Sequence, residues 1–103
     1  MTDKELLEFA AKAAGLFRAA DRTDCPINVN GVTYPVWNPL EDDGDALRLA
    51  VRMEMDLFVR AGRWTEAVRP MGPACKELHG DDPDAATRRA IVRAAAESAK
   101  VMP

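Results

Sequence analysis

The sequence predicts an α+β domain, one antiparallel sheet of two hairpins packed with three helices in the order α-β-β-α-β-β-α. Three observations carry this. Apolar residues recur at helical spacing near both ends, an alternating run is broken by Asn30-Gly31, and two short β-rich runs flank Ala61-Gly62. The length, 103 residues, is that of a single domain spanning 1–103, and 48% apolar content suffices to bury a core.

The first helix is predicted from Thr2 to Ala20. Thr2 and Glu5 have the spacing of a capping box, in which each side chain satisfies a free backbone N–H of the first turn. Leu6, Phe9, Ala10, Ala13, Leu16, Phe17 and Ala20 form one wide apolar stripe. Ile27, Val29, Val32, Tyr34 and Val36 then alternate around Asn30-Gly31, residues that accept the positive φ of a two-residue hairpin turn. Pro26 and Pro35 cannot donate to a ladder and keep these strands short or at an edge.

Pro39 holds Asn38 extended and delays the next helix, predicted over Asp45 to Met53 behind the acidic run Glu41-Asp42-Asp43-Gly44-Asp45. Asp56 to Arg60 reads as a strand, Ala61-Gly62 as a turn and Trp64 to Val68 as the return. Pro70, Gly72 and Pro73 make Met71 to Gly80 a predicted loop. Asp82 then caps a last helix with Pro83 at its first position. In that helix Thr87, Ile91, Ala94, Ala95, Ser98 and Met102 make a narrow small-residue face, with Arg89, Arg93 and Glu97 on the solvated side.

Composition excludes several functions. With 14 basic against 17 acidic residues the net charge is −3, the wrong balance for a general nucleic-acid binder. No apolar run approaches the roughly 20 residues of a membrane span, and Met1 to Glu5 lacks a signal-peptide pattern. Cys25 and Cys75 stand far apart and read as reduced thiols. The chain has no Gly-rich phosphate loop, nucleophile elbow or paired-histidine helix. His79 is the single histidine, which argues against an enzyme and against a cofactor.

Candidate sites are correspondingly few. Glu41, Asp42, Asp43 and Asp45 offer clustered oxygens, but Arg52 stands where a calcium loop needs its last acid, so helix capping is the favoured reading and no metal is expected. Asp81, Asp82 and Asp84 are explained in the same way, and nothing in the sequence brings the two clusters together. Cys25, Cys75 and His79 lack a paired-cysteine spacing for zinc, and the favoured reading is a buried cysteine with a surface histidine. Trp37 is expected in the core. Trp64 beside Arg63 at a hairpin tip has the composition of an interface anchor. Arg88, Arg89 and Arg93 form a basic subset able to meet phosphates.

The segments Trp37-Asn38-Pro39-Leu40 through Val51 and Ala86-Thr87-Arg88-Arg89-Ala90-Ile91-Val92-Arg93, with Glu5-Leu6-Leu7 and Ala11 to Gly15, resemble small bacteriophage and prophage proteins of Gram-negative bacteria, of the phage αβα-sandwich type. Met53-Glu54-Met55 departs from the Lys-Leu-Gly usual after that helix, and Arg60 to Leu78 lies outside the pattern, making it the place for a partner-specific surface. The resemblance implies a context, the host cytoplasm, and supplies no catalytic residue.

The expected function is therefore a non-enzymatic, phage-encoded protein that binds a host or phage protein, an inhibitor of a bacterial defence system being one version. Its expected partner surface is Glu41, Asp42, Asp43 and Asp45 with Arg63 and Trp64. The alternative is a nucleotide-binding protein using Arg88, Arg89 and Arg93, and self-association through the small-residue face of the last helix is a third expectation.

Overall fold

The computed structural model describes residues 2–15, 27–29, 32–34 and 37–100, with 27–29 and 32–34 described as backbone. Helix α1 (Asp3–Ala13) begins with the capping box the sequence encodes: Glu5 N–H donates to Thr2 Oγ1 at 3.2 Å and Thr2 N–H donates to Glu5 Oε1 at 3.1 Å. The Thr2 backbone and hydroxyl donors favour the ionised Glu5 carboxyl and hold it below the usual range. The helix is shorter than predicted because Gly15, at φ +72°, turns the chain after Ala14. Residues 16–20 of the predicted helix lie outside the described residues.

Strands β1 (Ile27–Val29) and β2 (Val32–Tyr34) pair antiparallel with Val29 opposite Val32, the register a two-residue Asn-Gly turn produces. Helix α2 (Asp43–Arg52) starts two residues earlier than predicted, because its cap is Asp42: the carboxylate accepts Asp45 N–H at 2.8 Å. At its other end Glu54 N–H donates to Val51 O and Met55 N–H to Ala50 O, a Schellman closure with Glu54 in the glycine position at φ 55°.

Strands β3 (Asp56–Arg60) and β4 (Trp64–Val68) fall on the predicted residues. Gly62, at φ +76°, supplies the left-handed residue of their three-residue turn. The predicted loop over 71–80 is overturned, since Ala74–Leu78 is a strand, β5, paired antiparallel with β4. Its entry is a second tight turn: Gly72 N–H donates to Arg69 O at 3.0 Å across Pro70-Met71, with Met71 at φ 53°. Pro and Gly mark a hairpin bend here rather than the end of the sheet.

The single sheet of two hairpins is thus corrected to a three-stranded sheet, β3-β4-β5, and a separate two-stranded ladder, β1-β2. The element order is α-β-β-α-β-β-β-α. The α+β class stands.

Helix α3 (Pro83–Lys100) is the hub, packing on α1, α2, β4 and β5. The predicted narrow apolar face is overturned. Ala86, Ala90, Val92, Ala95, Ala96 and Ala99 point in several directions around the helix and are all buried. Alanine lets neighbours approach the axis on every side, which a stripe of large residues on one face would not. Leu6, Leu7, Leu49, Trp37 and Ile91 complete the core. Trp37 is buried, as its position before the turn implies. Alternation then assigns Leu57, Val59, Thr65, Ala67, Cys75 and Glu77 to the face of the sheet toward α3, with Phe58, Trp64, Lys76 and Leu78 on the other. Helix α3 contacts mainly β4 and β5, so β3 overhangs at one side.

Candidate functional site

The acidic run before α2 is built into the fold. Asp42 is the helix cap. Asp45 is buried, accepts Asn38 N–H at 2.9 Å and pairs with Arg48 at 2.7 Å. Asn38 in turn accepts Leu40 N–H through its side chain at 3.1 Å. Trp37-Asn38-Pro39-Leu40 is therefore a turn tied to α2 by Asp45. Asp43 pairs with Arg88 at 2.6 Å, and Glu41 makes no ion pair with a described residue. Of the four acids expected to meet a partner, Glu41 alone is uncommitted.

The arginines of α3 are also engaged. Arg88 donates to Leu40 O at 2.9 Å as well as to Asp43, and its side chain is mostly buried. Arg89 pairs with Asp3 at 3.1 Å, and Arg93 pairs with Glu77. The Glu77 hydrogen bond favours the charged Arg93 guanidinium and raises its pKa. The predicted solvated side of α3 is instead a row of cross-links to α1, the α2 entry and β5. A phosphate at Arg88, Arg89 or Arg93 would have to displace a carboxylate already in place.

Arg63 and Trp64 lie at the opposite end of the accounting. Arg60 and Arg63 are exposed, flank Trp64, and form no ion pair with a described residue. Trp64 is half-buried on the outer face of the sheet, with Lys76 Nζ 4.5 Å from its ring centroid. Next to it β3 leaves Phe58 48% and Val59 56% exposed, one on each face. On α2 the i,i+4 pair Leu47 and Val51 is 59% and 70% exposed. Leu47, Ala46, Leu57, Val59 and Ile91 line an apolar groove of about 300 Å³ beneath the overhanging strand.

The sequence reading missed this strip because no single segment of it is unusual. Leu47 and Val51 sit in a helix so apolar that its composition implies it is largely buried, and exposure on β3 depends on α3 running mainly under the other two strands.

Among the described residues no group of three or more His, Cys, Asp or Glu is placed to hold a metal ion. Cys75 is buried on β5, where desolvation raises its thiol pKa. His79 follows the same strand and is buried, correcting the expected surface histidine. Among the described residues no helix is long and apolar enough to cross a membrane.

No protein-family model, curated protein or solved structure matches the chain.

Proposed function

We propose that this chain is a non-enzymatic binding protein that takes an extended segment of a partner protein along β3. The observation carrying this is the state of that strand's outer edge. Among the described residues β3 pairs on one side only, and its centre is Leu57-Phe58-Val59 with no proline, lysine or inward charge. Folded proteins normally blunt such an edge, and an open one is a template for strand addition. Here both faces of an added strand would meet exposed apolar side chains, Phe58 above and Leu47 with Val59 below. Arg60 and Arg63 at one end, without an ion pair among the described residues, fit a partner segment with acidic flanking residues.

The partner class follows from the resemblance of the Trp37–Leu40 and Ala86–Arg93 motifs to phage proteins. A bacterial host protein is the first to test, a component of a defence system in particular, with the encounter in the host cytoplasm. Commitment of Arg88, Arg89 and Arg93 to carboxylates favours this reading over a nucleotide site. Burial of Ile91, Ala94, Ala95 and Ser98 inside the chain likewise favours this reading over self-association through that face.

The test is capture from a bacterial lysate with the wild-type protein, V59K and E41Q side by side. Lysine at Val59 places a gatekeeping charge at the edge and is expected to weaken capture about tenfold or more, while E41Q retains it. Equal capture by V59K, with protein still folded by circular dichroism, overturns the β3 assignment.

A further inference from the structure

On another face of the molecule, and independent of the β3 edge, a cleft of about 590 Å³ lies where the starts of α1, α2 and α3 converge on the end of β5. It joins the two acidic clusters that the sequence leaves apart. Its walls carry five carboxylates, Asp3, Glu41, Glu77, Asp81 and Asp82, against two guanidiniums, Arg88 and Arg89. Both guanidiniums are already paired, whereas Glu41 and Asp81 form no ion pair with a described residue. Helix starts ordinarily attract anions through roughly half a positive charge each. Here Thr2, Asp42 and Asp82 each already accept one free N–H of those three starts.

His79 lines this cleft and is 5% exposed. A proton count fixes its tautomer. The Thr87 hydroxyl donates to Pro83 O at 2.9 Å, so at 2.7 Å it accepts from Thr65. Thr65 has then spent its proton, so at 2.8 Å its oxygen accepts from His79 Nε2–H. Every donor in the chain is used in this arrangement, and any other loses a bond. Nδ1 is left as an acceptor with no partner among the described residues. A buried lone pair without a donor is costly, and an anion has no proton to give it.

We infer that this cleft binds a cationic N–H donor, an ammonium or guanidinium group, whose N–H reaches His79 Nδ1 while Glu41 and Asp81 balance its charge. A lysine or arginine side chain of a protein and a free polyamine share this chemistry, and the two are separated by the probe.

The experiment is titration of ¹⁵N-histidine-labelled protein with a trilysine peptide and, separately, with spermidine. The expected result is an upfield movement of the His79 Nδ1 resonance as its lone pair accepts a hydrogen bond. The stronger probe identifies the source as side chain or free amine. The double variant E41Q/D81N, altered at exposed positions that leave the core intact, is expected to weaken binding about tenfold. A stationary Nδ1 resonance with both probes overturns the inference. So does binding that E41Q/D81N leaves unchanged, since diffuse attraction to an acidic protein would then explain it.

Discussion

The two edges of the three-stranded sheet are built to opposite ends. Strand β5 is closed off: Pro73 precedes it, Lys76 and Glu77 put charges on its two faces, and Arg93 from α3 reaches the Lys76 carbonyl at 3.3 Å. Strand β3 keeps its charges, Asp56 and Arg60, at its two ends, and α3 packs mainly under the other two strands. An edge is silenced by a charge or a covering element along its length, and the centre of β3, Leu57-Phe58-Val59, has no charge. The difference separates an edge closed by its own chain from one whose centre is left open.

The central strand, shared by both edges, gives the largest expected effect. Replacing Thr65 with valine leaves His79 Nε2–H buried without an acceptor and is expected to lower unfolding stability by about 2 kcal/mol. Urea denaturation measures it, and a loss below a few tenths would contradict the hydrogen-bond chain.

Thiol chemistry compares the edges directly. In a Cys25→Ser background, Val59→Cys places a thiol on β3, while Cys75 reports β5. Alkylation at neutral pH is expected to be about tenfold faster at position 59, because burial keeps the Cys75 thiol protonated and covered. Sign follows from the same shift. A thiol whose folded pKa is raised contributes stability that is complete below its unfolded value and lost as pH rises through the folded one. Cys75→Ala should therefore flatten the alkaline side of the stability profile and leave the acid side alone.

A smaller effect is expected at the entry to β3. Glu54→Gly relieves a left-handed non-glycine residue and should raise stability by about 1 kcal/mol without altering β5. At the silent edge, Arg93→Ala removes a partly exposed pair and should cost about 0.5 kcal/mol in thermal unfolding, an effect that salt diminishes.

Much of this fold was legible in local chemistry. Thr2 with Glu5, Asp82 with Pro83, and Ala61-Gly62 each satisfy or redirect backbone groups within a few residues, so spacing alone locates them. Strand β5 escaped because Ala-Cys-Lys-Glu-Leu has little β preference of its own and is held by β4 and α3. The site was less legible still. Glu41 to Asp45 and Arg88 to Arg93 look like two free charged surfaces in sequence, and across 45 residues they neutralise each other through Asp43 and Arg88. Which charges stay outside ion pairs is a property of the assembled molecule, and among the described residues Glu41 and Arg63 are two of them.

The central position of α3 also sets an order of events during synthesis. Helices α1 and α2 and strands β4 and β5 lean on its 18 residues, and all four precede it in the chain. While they are still within the ribosome, α1 and the inner face of the sheet have nothing to close upon. Domains generally form as units once their chain is available. These elements are thus held open, their apolar surfaces facing the cell, until α3 arrives and their shared core forms around it.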